Sequence, residues 1–147
     1  MKRIIALLSL LSVATPAFAG DPWLGTWVQR GKTPMTMTVE KAGASGAKFT
    51  YRMPPELKPN MVMTFETQFD GNEAQVFVDG KPIDEMMVIK RIDDRHTAAS
   101  WKINGEPAGS STSELSADGK VIKAESDNGM PGPDGNTKVT MYWDKKS

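Results

Sequence analysis

Cysteine is absent from the chain, and histidine occurs once, at His96. No disulfide can staple the fold, so its stability has to come from a packed core. An excess of one charge is missing too. Eighteen basic residues stand against 18 acidic ones. The signs alternate along the chain, with no basic block for nucleic acid and no polybasic stretch for a membrane surface. Missing as well are a phosphate loop, a dinucleotide fingerprint, a zinc signature, a calcium loop and a Gly-x-Ser-x-Gly elbow. These absences point to a non-enzymatic protein with no cofactor and no resident metal.

The one long apolar run, Ile4 to Val13, is too short to cross a bilayer as a helix. It follows Lys2 and Arg3 and precedes Ala17-Phe18-Ala19, the small-x-small pattern of a cleaved export signal. Residues 1–19 therefore read as a signal peptide, and residues 20–147 as the mature domain. Without a cysteine near the cleavage site there is no lipid attachment, hence no membrane anchor. The expected setting is periplasmic or secreted, in a Gram-negative bacterium. Removing nineteen of the 147 residues leaves 128, the size of one domain. Lys2 and Arg3 leave with the signal, taking the basic residues from 18 to 16 against 18 acidic ones, a net charge near −2.

Turn signals dominate what remains. Asp70-Gly71, Asp79-Gly80, Asn104-Gly105, Asp118-Gly119 and Asp134-Gly135 tolerate the positive φ angles of tight hairpins. Softer breaks fall at residues 31–34, 43–46, 54–60 and 93–95. The segments between them are short, and none shows a convincing helical period. They alternate: Met35, Met37 and Val39 with threonines and a glutamate, Phe49, Tyr51 and Met53 with Lys48, Thr50 and Arg52. Met61, Met63 and Phe65, then Ala99, Trp101 and Ile103, then Val139, Met141 and Trp143 repeat the pattern. One apolar and one polar face per segment is the mark of an antiparallel sheet wetted on one side. Segments 73–78 and 86–92 break the alternation, which predicts a bulge or cover on both faces.

About ten short strands joined by hairpins must manage their outer edges, and closing the sheet removes them. The expected fold is all-β: a single antiparallel up-and-down barrel of eight to ten strands, monomeric. The run Trp23-Leu24-Gly25-Thr26-Trp27 opens the first strand. A rigid indole there suits a plug at one barrel end, with Gly25 and Trp27 as its structural pair. In a closed barrel the first and last strands pair, which places Trp27 near Trp143.

Gly25-Thr26-Trp27 resembles the Gly-x-Trp signature of the calycins, the lipocalins and fatty-acid-binding proteins. The ordered set Leu24 to Trp27, Ile89 to Arg95, Ser100-Trp101-Lys102, Leu115 to Lys120 and Val139 to Lys145 resembles small exported bacterial lipocalin-like proteins of uncharacterised function. The resemblance implies binding of a small, often apolar molecule. Lipocalins pack the tryptophan beneath an arginine of the last strand. Here that strand region offers Lys138, Lys145 and Lys146, with Arg91 or Arg30 as possible substitutes for the cation over the indole.

In such a barrel the candidate cavity residues are Met37, Phe49, Tyr51, Met63, Phe65, Met87, Trp101 and Met141. Methionine is unusually frequent, ten in all. It can be core filler, the wall of a cavity for a flexible apolar ligand, or a soft Cu(I) site at Met35, Met37, Met61 and Met63. Segment 106–115, with Ser110, Ser111, Thr112 and Ser113, is either a poorly packed edge strand or the wet wall of a cavity. His96 has outward parity and reads as a surface residue. The carboxylate pairs Asp84-Glu85 and Asp93-Asp94 read as turn residues. A different class of function is a filled barrel that acts as an interaction or inhibitor module through loops 54–60 and 129–136.

Overall fold

The computed structural model describes residues 20–57 and 61–146. The signal peptide expected over residues 1–19, and residues 58–60 of the proline-rich loop, lie outside the described residues. Ten strands follow one another: β1 Gly25–Gln29, β2 Thr36–Ala42, β3 Gly46–Arg52, β4 Val62–Thr67 and β5 Asp70–Val78. Then come β6 Lys81–Asp93, β7 His96–Ile103, β8 Glu106–Leu115, β9 Val121–Asp127 and β10 Lys138–Lys145. Each strand pairs antiparallel with its neighbours in sequence, and β1 pairs with β10. The sheet is thus a closed up-and-down barrel, with no helix among the described residues.

Turn chemistry sets this order. Asp79 and Gly80 (φ 49° and 78°) join β5 to β6, and Asn104 and Gly105 (φ 53° and 78°) join β7 to β8. Positive φ at both positions gives the turn whose twist matches the flanking strands. Asp118-Gly119 and Asp134-Gly135 fall in longer connections. Asp70-Gly71 departs from expectation: it opens β5, and the reversal falls earlier, at Gln68-Phe69. Phe69 takes φ 57° there. Its amide donates to Thr67 Oγ1 at 3.0 Å, and its ring packs edge-on against Phe49, 6.1 Å between centroids.

The irregular segments do carry bulges. The β5–β6 ladder shifts register between Gln75 and Phe77, whose partners are Met86 and Pro82. Pro82 has no amide to give the ladder. The Gln75 side-chain amide fills in, donating to the carbonyls of Ile83 at 2.6 Å and Val76 at 2.9 Å. Asp84 and Glu85, expected in a turn, lie inside β6. Asp93 behaves as expected, accepting the Arg95 amide at 2.8 Å.

Strand direction gives the barrel two unlike ends. At one end gather the β2–β3, β4–β5, β6–β7 and β8–β9 turns and the segment leading into β1. At the other are the β5–β6 and β7–β8 hairpins and the longer β1–β2, β3–β4 and β9–β10 loops.

The first end is closed by tryptophan. Trp27 is fully buried. Its indole Nε1 donates to the Trp23 carbonyl at 3.0 Å, and Trp23 Nε1 donates to the Asp94 carbonyl at 2.9 Å. Asp21 ties the same segment to Arg91 at 2.7 Å. The segment thus straps the plug to the β6–β7 turn. The cation over Trp27 is Lys145, whose Nζ lies 5.1 Å from the ring centroid. Neither arginine serves there: Arg91 stacks on Phe69 and Arg30 on Tyr142. Trp143 opposes Gln29, two positions along β1 from Trp27, on the strand that closes the barrel.

Candidate functional site

The inward faces do not meet at the barrel axis. They enclose a cavity of about 340 Å³, within the range of roughly 300–1,000 Å³ usual for small-molecule sites. A barrel's diameter grows with strand number, and ten strands leave more room than side chains of this size fill.

The eight residues expected to face a cavity all line it. Register explains how they come together. Met37, Tyr51 and Met63 are cross-strand partners on β2, β3 and β4, and Phe49 opposes Phe65 one rung away. Phe49 and Phe65 stack at 4.9 Å with ring planes 10° apart. Met87 on β6 opposes Trp101 on β7. Met141 on β10 neighbours Trp143, and the Trp143 ring meets Tyr51 edge-on at 6.0 Å. The aromatic and methionine side chains form a continuous apolar wall across β2, β3, β4 and β10.

The opposite wall is different in kind. Thr97 of β7, Ser111 and Ser113 of β8 and Ser126 of β9 line it. Ser113 pairs with Thr97, and Ser111 with Ser126. The Ser126 hydroxyl lies 3.1 Å from that of Ser111. Segment 106–115 is therefore a wall of the cavity and not an edge strand, because β7 and β9 pair with it on both sides. The small side chains have a structural reason as well. Gly109 lies under the Trp101 indole, and a Cβ there would run into the ring. Trp101 can lie across the interior only because β8 gives way beneath it.

Among the described residues two titratable groups line the cavity. Burial alone pushes the Tyr51 phenol above its ordinary range. Burial likewise pushes the Glu85 carboxyl up. Glu85 shares its inward parity with Met87 and Ile89 on β6, and the sequence pattern held that signal. A Pro-x-Asp-Glu string after Gly80 instead read as part of a turn. Asn128, just past β9, adds an amide to the lining.

The methionines divide. Met35, Met37, Met53, Met63, Met87 and Met141 line the cavity; Met61 does not. Of the four sulfurs that a soft Cu(I) site would use, those of Met37 and Met63 are separated by the whole of β3, with Tyr51 between them in the ladder. His96 lies on the outer face, its Nδ1 2.8 Å from Asp93 Oδ1 and its Nε2 3.9 Å from Glu114 Oε2. Among the described residues no cluster of His, Asp and Glu side chains could hold a metal ion.

No protein-family model matches the chain, and no curated protein matches it. The class is set by architecture alone: a closed ten-stranded antiparallel barrel consistent with a calycin-like fold.

Proposed function

We propose that the protein is an exported, non-enzymatic carrier, periplasmic or secreted, that holds one small apolar or amphipathic molecule inside the barrel. In this reading it stands with the small exported lipocalin-like proteins of bacteria. The observation that carries the reading is the cavity itself. One wall is methionine and aromatic, the other bears hydroxyls, and one end is sealed by Trp27. A flexible chain can lie against thioethers, which adapt to its shape, while a polar group turns to the serines.

The test is displacement of a neutral, apolar fluorescent probe. The probe should bind one site with a blue-shifted emission. Binding should be lost in an Ala99→Phe/Ala124→Phe variant that fills the space, with folding checked by circular dichroism. Equal binding by the filled variant would move the probe to the surface and count against the cavity.

A second reading has its own support. The β3–β4 and β9–β10 loops lie at the same barrel end, with Leu57 62% and Met130 77% exposed. Exposed apolar residues on a rim suit contact with a protein partner. Deleting residues 131–135 should then abolish capture of that partner without lowering the melting temperature.

A further inference from the structure

The cavity is polar in only one electrical sense. Among the described residues Glu85 is the one charged side chain that lines it; no lysine or arginine does. By register Lys41, Lys81, Arg91 and Lys145 all share inward parity; Lys41 and Lys81 are exposed near opposite ends of the barrel, and none of the four lines the cavity. Lys145 lies over Trp27 and donates to the Pro22 carbonyl at 2.9 Å. Arg91 lies over the Phe69 ring, 4.5 Å from its centroid, and is paired with Asp21. Phe69 lines the cavity and Arg91 does not. The remaining polar lining, Thr97, Ser111, Ser113, Ser126 and Asn128, is uncharged.

We propose that the site selects by charge: it takes neutral or cationic amphiphiles, such as a long-chain alcohol, amide or amine, and rejects fatty carboxylates of the same length. The proposal rests on the carrier reading and names its ligand class. The physical reason is desolvation. An anion entering this space loses its hydration and, among the described lining residues, meets no cation in exchange, only hydroxyls, an amide and a second carboxyl. An ammonium group loses hydration too but finds Glu85, which restores part of the loss. A hydroxyl or amide needs only the serine, threonine and asparagine groups, which donate and accept alike.

The experiment uses three probes that differ only in the head group: dodecylamine, dodecanol and dodecanoate, each below its aggregation concentration at neutral pH. Each displaces the neutral fluorescent probe from the wild-type protein, Glu85→Gln and Glu85→Asp. In wild type, dodecylamine should bind at least as tightly as dodecanol, and dodecanoate about tenfold or more weaker than either. In Glu85→Gln the gap between acid and alcohol should narrow, and the amine should lose any advantage. Glu85→Asp keeps the charge and should keep the wild-type order, which separates charge from a change of packing. Dodecanoate binding as tightly as dodecanol in wild type would overturn the proposal. So would a gap between acid and alcohol that Glu85→Gln leaves unchanged. Failure of the fluorescent probe and all three compounds to bind would overturn the carrier reading itself.

Discussion

Lys145 lies across the face of Trp27, and the two are direct partners in the β1–β10 ladder that closes the barrel. The contact also explains the glycine two residues earlier. A Cβ on Gly25 would come 2.8 Å from Lys145 Cε, and Gly25 itself takes φ 133°. Gly25, Trp27 and Lys145 are therefore one device: glycine makes room, lysine crosses, and the indole is covered from outside while its Nε1 is tied to Trp23.

That device predicts an ordered series of stability losses. Trp27→Ala should cost about 3–5 kcal/mol, as for a large buried side chain with no replacement. Gly25→Ala should cost about 1–3 kcal/mol through crowding and an unfavourable φ. Lys145→Met keeps the aliphatic cover and loses the cation together with its hydrogen bond to the Pro22 carbonyl, at about 0.5–1.5 kcal/mol. Chemical denaturation of the three variants checks the order. A loss below about 1 kcal/mol for Trp27→Ala would mean the barrel end is held by something else.

The Trp101–Gly109 pair predicts a coupling. Gly109→Ala puts a methyl into the indole and within 2.8 Å of the Asp127 carbonyl. It should destabilise by about 1–3 kcal/mol and shift the tryptophan near-ultraviolet signal. Adding Trp101→Leu should recover part of that loss, because the ring no longer occupies the space. Strictly additive losses in the double-mutant cycle would show that the two side chains do not compete.

Tyr51 predicts a loss of stability at alkaline pH. Its folded-state pKa is raised by burial, against about 10 in the unfolded chain. Below pH about 10 both states hold the proton, and the phenol contributes no pH dependence. Above it the unfolded state ionises while the folded state resists, so stability falls with a slope of up to about 1.4 kcal/mol per pH unit. Tyr51→Phe should remove that part of the slope and leave stability at neutral pH little changed. An identical alkaline slope in the variant would show that Tyr51 reaches solvent.

Much of this architecture is legible in the residues. Period-two alternation assigns the inward faces without knowledge of pairing, and Met37, Phe49, Tyr51, Met63, Phe65, Met87, Trp101 and Met141 do line the cavity. Parity carries through because a closed sheet with one apolar face admits a single arrangement. What alternation does not encode is register, which decides who meets whom across strands. Lys145 was one of several cations available to Trp27, and only the β1–β10 pairing selects it. The Phe69 reversal was hidden because a neighbouring Asp-Gly carries a stronger turn signal than Gln-Phe. Glu85 was hidden for a similar reason, its inward parity masked by composition that favours turns.

The carrier account is tested most directly by intact mass measurement under native conditions, on the protein taken from the compartment where it accumulates. The account predicts a reproducible extra mass of one lipid-sized molecule, lost in the Ala99→Phe/Ala124→Phe variant. Clean unliganded protein that also leaves the neutral apolar probe unbound would contradict it.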